Sequence, residues 1–208
     1  MLIVEGSDDL YAVVQLMAAH VNWPDGINNA PVYVKVMGGV EKMLEHSSLT
    51  ANLKTPRLRS LCFLLDADEE LTNRYRRIRR ACLDEFPSFP EEISQNGVIS
   101  ENSDGKRVGV WIMPDNNSPG DLETFLSLLV PSTSENLWDH ARNSVSIART
   151  IGSTCRDAHL PKAHLYTWLA WQDPPQSSPG RAIIKKDLDP MSPNSTIFVK
   201  WFRDLYQL

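Results

Sequence analysis

Five carboxylates in this chain follow apolar runs closely enough to share one site. Glu5 closes "MLIVE", Asp9 follows one helical turn later, Asp66 and Asp68 stand in "CFLLDADEE", and Glu123 stands in "GDLETFL". Side-chain oxygens with no His or Cys partner suit a hard divalent cation, Mg²⁺ or Mn²⁺, better than Zn²⁺. On a phosphodiester such ions stabilise the attacking and leaving oxygens of an in-line displacement. The set suffices for one or two ions, with Glu5, Asp9 and Asp66 on the first and Asp68 and Glu123 on the second. Converging like charges repel one another unless a cation sits among them.

Each acid also has a plainer reading. A lone Asp after a strand is usually a turn former or a helix cap. Asp8, Asp115 and Asp121 read that way here. Asp66-Ala-Asp68 is harder to dismiss, because two acids side by side add repulsion and gain nothing in capping. The combination carries the weight, not any single residue.

The elements that must bring these residues together are legible in outline. Residues 1–5 are a short apolar run, and after Gly6 and Ser7 the apolar positions recur at helical spacing through Leu10, Val13, Val14, Met17 and Ala18. "APVYVKVMGG" reads as a second strand closed by two glycines, and residues 40–46 as a short helix. "LRSLCFLLDAD" is apolar on both faces and predicts a central strand of a parallel sheet. A charged helix over 69–86 follows, then a loop at "FPSFPEEISQNG", a fourth strand at "RVGVWIM" and a helix at "DLETFLSLLV". Beyond Pro131 the chain turns helical, with segments at 134–150, 161–172 and 195–206, interrupted by "QDPPQSSPG".

Strands alternating with helices predict an α/β fold, a parallel four-stranded, Rossmann-like sheet flanked by helices. Residues 1–130 form its core and 131–208 a mostly helical C-terminal extension packed on it. In a parallel sheet the strand C-termini share one edge, where open α/β folds bind ligands. Glu5, Asp66 and Asp68 should therefore meet across sixty residues of sequence.

Composition narrows the class. The 208 residues are 42% hydrophobic and 23% charged, with a net charge of −5, so bulk electrostatics do not announce a nucleic-acid binder. Cys62, Cys82 and Cys155 are odd in number and widely spaced, which supports neither a disulfide framework nor a zinc site. No leader pattern opens the chain, and no apolar run approaches the ~20 residues that span a bilayer. A cytoplasmic protein without a membrane partner is the expectation. Trp168 and Trp171 read as core packing, and the five His residues share no ligand spacing.

"VEGSDD" followed by "LLDADEE" resembles the Toprim domain of topoisomerases, primases, small repair proteins and OLD (overcoming lysogenization defect) nucleases. The resemblance implies Glu5 as the Glu ending the first strand and Asp66 and Asp68 as the Asp-x-Asp pair. The OLD-type branch implies further acids at Asp9 and Glu123 and a downstream Lys. Lys162 in "PKAHLYTWLAW" matches, with Lys185 and Lys186 as competitors. Small standalone Toprim-like proteins are similar over "VGVWIMPDNNSPGDLETFL". The chain lacks a phosphate-binding Gly-x-x-x-x-Gly-Lys loop, so an ATPase of the OLD kind would be a separate P-loop partner.

The expectation is a Mg²⁺- or Mn²⁺-dependent nuclease acting on DNA more than RNA, in phage or plasmid defence. Lys162 would neutralise charge building on the phosphate. The rivals are a Toprim-like binding module with little catalysis, and phosphoryl or nucleotidyl transfer on a small nucleotide. "RYRRIRR" places Arg74, Arg76, Arg77, Arg79 and Arg80 on the helix leaving the Asp-x-Asp edge, where a bound nucleic-acid backbone could reach them.

Overall fold

The computed structural model describes residues 1–24 and 29–208. Among these residues five strands form one sheet: β1 Leu2–Val4, β2 Val34–Val36, β3 Ser60–Asp66, β4 Val98–Glu101 and β5 Arg107–Met113. Their order is β2-β1-β3-β5-β4. The four strands expected from the sequence run parallel, with Cys62 beside Leu2 and Asp66 beside Met113.

The sheet is mixed, which corrects the purely parallel, four-stranded expectation. β4 pairs antiparallel with β5, from Val98 opposite Val110 to Glu101 opposite Arg107. It is four residues long and buries only alternate positions, so a polar, proline-rich approach hid it. Asn102 Oδ1 accepts the N–H groups of Asp104 and Lys106 and closes the hairpin.

Helices cover both faces. One layer holds α2 Val40–Leu44, α3 His46–Leu53 and α4 Leu71–Cys82, and packs on Ile3, Phe63, Leu65, Val110 and Ile112. The other holds α1 Ser7–Ala18, α5 Leu122–Ser127, α7 Leu160–Leu169, α8 Pro179–Lys185 and α9 Thr196–Tyr206, against Leu2, Val4, Cys62, Leu64, Trp111 and Met113. Helix α6 Glu135–Thr150 packs on α7. Alternate residues of β3 and β5 thus enter opposite cores, which is why those strands read as unbroken apolar runs. Each such side chain stabilises by roughly 1.5–3 kcal/mol on burial.

Beyond residue 130 the chain carries α6 to α9, and α9 lies directly on the sheet. A Cβ added at Gly109 would stand 2.5 Å from Leu205 Cδ2, so only glycine permits that approach. Trp201 Nε1 donates to the Val98 carbonyl at 3.0 Å and ties α9 to the added strand. Helix α8 starts on Pro179, whose fixed φ suits a first helical turn, within a stretch that reads as a break. Trp168 is buried, whereas Trp171 is exposed and stacks on His140. No helix among the described residues is long and apolar enough to cross a membrane.

Candidate functional site

From β1 the chain crosses one way to β2, then returns past β1 to β3, so the crossovers reverse between β1 and β3. That reversal opens a crevice beyond the strand ends. Glu5 leaves β1 at this point and Asp66 ends β3. Glu5 Oε1 accepts the Asp66 backbone N–H at 3.0 Å, which bonds one strand end to the other. The Glu5 carbonyl accepts N–H groups from Gly38 at 2.8 Å and Gly39 at 3.1 Å. Those glycines, at φ 75° and 124°, bend the end of β2 around the crevice in conformations other residues resist.

Asp9 is 6% exposed and its Oδ2 accepts the Gly6 N–H at 2.8 Å, which fastens the start of α1. Glu123 is also 6% exposed, in the first turn of α5. Asp66 Oδ1 accepts the Leu122 N–H at 2.8 Å and anchors that helix beside β3. Glu5, Asp9, Asp66 and Glu123 line one cleft of about 330 Å³ together with Lys162. Lys185 and Lys186, the competitors for the cation's role, lie at the end of α8 and do not line it.

Asp68 stands beside this cleft. Its φ is 45°, an uncommon conformation for a residue with a side chain, and it exchanges backbone bonds with Gly120 at 2.7 and 3.0 Å. Its side chain is largely exposed and borders a neighbouring hollow of about 510 Å³ with Arg76 and Asn117. The five expected acids therefore occupy one edge, four inside the cleft and one on its rim.

The electrostatics are strained. Burial, with Asp9 and Glu5 close by, pushes the Asp66 carboxyl up to about 9. Burial raises Asp9 to about 6 against the pull of the Gly6 N–H. Glu5 and Glu123 are raised as well, chiefly by burial. Two cations oppose this. Arg74 Nη1 lies 3.7 Å from Glu5, and Lys162 Nζ lies 3.3 Å from Glu123 Oε1. Lys162 is itself raised: partial burial pulls it down, but Glu123 and Asp8 outweigh that.

The donors fit a hard divalent cation in type: carboxylate oxygens of Glu5, Asp9, Asp66 and Glu123 crowd one cleft at a cost that a cation would relieve. Among the described residues no three acid, His or Cys side chains are already drawn into one ligating set. Backbone N–H groups and the two cations engage the carboxylate oxygens instead.

The arginines of α4 divide. Arg74 is 7% exposed; Nη1 donates to the Asp66 carbonyl and Nη2 pairs with Asp68, both at 2.5 Å. It braces the turn after β3 and does not face solvent. Its place was legible, since it shares a helix face with Ile78 and Ala81, both in the core. Arg77 pairs with Glu41 at 3.3 Å, and Arg79 with the Pro90 carbonyl and Glu91. Arg76 and Arg80 are exposed and make no ion pair with any described residue.

Two cleft residues escaped the sequence reading. Gly6 caps α1 and Asp8 makes no capping bond; its Oδ2 accepts the Tyr166 hydroxyl at 3.3 Å instead. Asp115 and Asp121 are turn and cap residues as expected, accepting N–H groups from Ser118 and Thr124.

Fold and site together define an α/β protein with an acidic cleft at the reversal point of its sheet. The chain belongs to the DUF3226 family, described as a protein of unknown function, whose model matches residues 1–207. Searches of curated proteins and of solved structures return no match.

Proposed function

We propose that the protein is a divalent-metal-dependent nuclease of the Toprim type, hydrolysing nucleic-acid phosphodiester bonds at the crevice between β1 and β3. The observation that supports this most is the bond from the Asp66 N–H to Glu5 Oε1, since it sets acids sixty-one residues apart side by side in the cleft that Asp9 and Glu123 also line. Glu5, Asp9, Asp66 and Glu123 would hold Mg²⁺ or Mn²⁺, with Asp68 at the rim. A divalent cation bound there supplies electrophilic activation of the phosphate and acidifies water.

The chain's own residues supply the rest. Lys162 brings positive charge to the cleft mouth, where negative charge builds on a phosphate during displacement. Arg74 holds the Asp66–Asp68 turn, and Arg76 and Arg80 offer exposed charge to a flanking backbone. A module that only bound nucleic acid would gain nothing from carboxylates that repel phosphate.

Purified protein incubated with supercoiled plasmid and Mn²⁺ or Mg²⁺ tests the proposal. Nicked or linear product that disappears with chelator is expected. Intact plasmid, and intact single-stranded DNA and RNA, under every metal condition would overturn it.

A further inference from the structure

Lys162 and Tyr166 stand one turn apart on α7 and both meet Asp8 of α1. Lys162 Nζ lies 3.3 Å from Glu123 Oε1, 4.0 Å from Asp8 Oδ2 and 5.7 Å from the centre of the Tyr166 ring. The Tyr166 hydroxyl donates to the same Asp8 oxygen at 3.3 Å. An acid in the first turn of α1 needs no further explanation where it caps the helix or faces the dipole in open water. Asp8 does neither alone, because Gly6 is the cap and the Tyr166 hydroxyl of α7 donates to its Oδ2.

We propose that Asp8 and Tyr166 are positioning residues that hold the Lys162 ammonium over the acidic cleft, independently of Glu123. The proposal rests on the reading of the cleft as a phosphodiester site and deepens it. A lysine side chain is a flexible stem whose rotamers scatter the charge unless it is held. Glu123 holds Lys162 while that carboxylate has no other partner. When Glu123 turns toward a cation it releases the ammonium, and the side chain would swing into solvent. Asp8 attracts it from the other side, and the Tyr166 ring lies against it as a face for the charge. The hydroxyl bond fixes Asp8 in turn. Lys162 then remains where a substrate phosphate arrives, whatever Glu123 does.

The test uses the full chain with its lysines labelled by ¹³C reductive methylation, and the Lys162 resonance is assigned from Lys162→Arg. Tyr166→Phe keeps the ring and removes the hydroxyl; Tyr166→Leu removes both; Asp8→Asn removes the charge. The Lys162 signal should be displaced by the ring in wild type, move toward the exposed lysines in Tyr166→Leu, and broaden in wild type on adding Mn²⁺. With Mn²⁺ present, Asp8→Asn and Tyr166→Phe should cleave roughly tenfold more slowly with Mn²⁺ affinity retained.

A Lys162 signal that coincides with the exposed lysines in wild type and does not respond to Tyr166→Leu overturns the proposal. If Lys162 behaves as held but wild type cleaves no nucleic acid, the nuclease reading fails and the positioning stands. If wild type cleaves and both positioning variants cleave equally well, the positioning fails and the nuclease reading stands.

Discussion

Glu5 Oε1 accepts the backbone N–H of Asp66 at 3.0 Å, so the acid leaving β1 is bonded to the last residue of β3. With Asp66 in turn accepting the Leu122 N–H, one carboxylate pair links β1, β3 and α5. The same bonds that assemble the edge hold its negative charges together, and stability and protonation are therefore coupled there.

That coupling predicts an unusual pH dependence. An unfolded Asp loses its proton near 3.8, whereas folded Asp66 keeps it to about 9 and folded Asp9 to about 6. The folded state binds more protons across that window, so stability is fullest below pH 4 for these two groups and is lost as pH rises toward 9. Without divalent cations the melting temperature should fall from pH 5 to pH 9. Asp66→Asn should flatten the slope and raise the melting temperature at pH 8, by about 2–4 °C for each kcal/mol regained. A wild-type curve that rises over the same range would contradict the strained cleft.

Divalent cations should reverse the loss. An ion that binds only the folded state at a hundred times its Kd adds about 2.7 kcal/mol of stability. Calorimetric titration with Mn²⁺ should give a binding heat that Asp66→Asn removes and that Asp139→Asn, on the exposed face of α6, leaves intact. Equal heats in wild type and Asp66→Asn would place the ion elsewhere.

The arginines of α4 should separate by role. Arg74→Met leaves the Asp66 carbonyl and the Glu5 carboxylate without their cation, a loss of about 2–3 kcal/mol, below a fully buried pair because Asp68 is exposed. Arg76→Glu with Arg80→Glu should keep wild-type stability and weaken nucleic-acid binding. The slope of log affinity against log salt should shrink by about 0.9 for each lost phosphate contact. Arg74→Met folding as stably as wild type would contradict its role as a brace.

Much of this edge was legible because strand ends are written in hydrophobicity. The apolar runs before Glu5 and Asp66 predict parallel strands ending at one edge, and the alternation of β3 between two cores is the physical cause of its unbroken run. β4 escaped because four residues of alternating burial carry little signal within a polar stretch. Asp8 escaped for a different reason. Its neighbours in sequence say "helix start", and its partner Tyr166 lies on a helix 158 residues away, a contact that no local pattern encodes. Arg74 was misplaced because a basic run draws attention to charge, while its spacing from Ile78 and Ala81 sets it against the core.

The most direct test of the proposed chemistry is the Mn²⁺-dependent cleavage rate of an end-labelled oligonucleotide by wild type and Asp66→Asn, under single-turnover conditions. Asn keeps the side-chain volume and the acceptor for the Leu122 N–H, so the fold should survive. A cleft that works by holding a cation on Glu5 and Asp66 predicts a loss of at least about a thousandfold in Asp66→Asn, equivalent to about 4 kcal/mol of transition-state stabilisation. Cleavage by Asp66→Asn at the wild-type rate would contradict it.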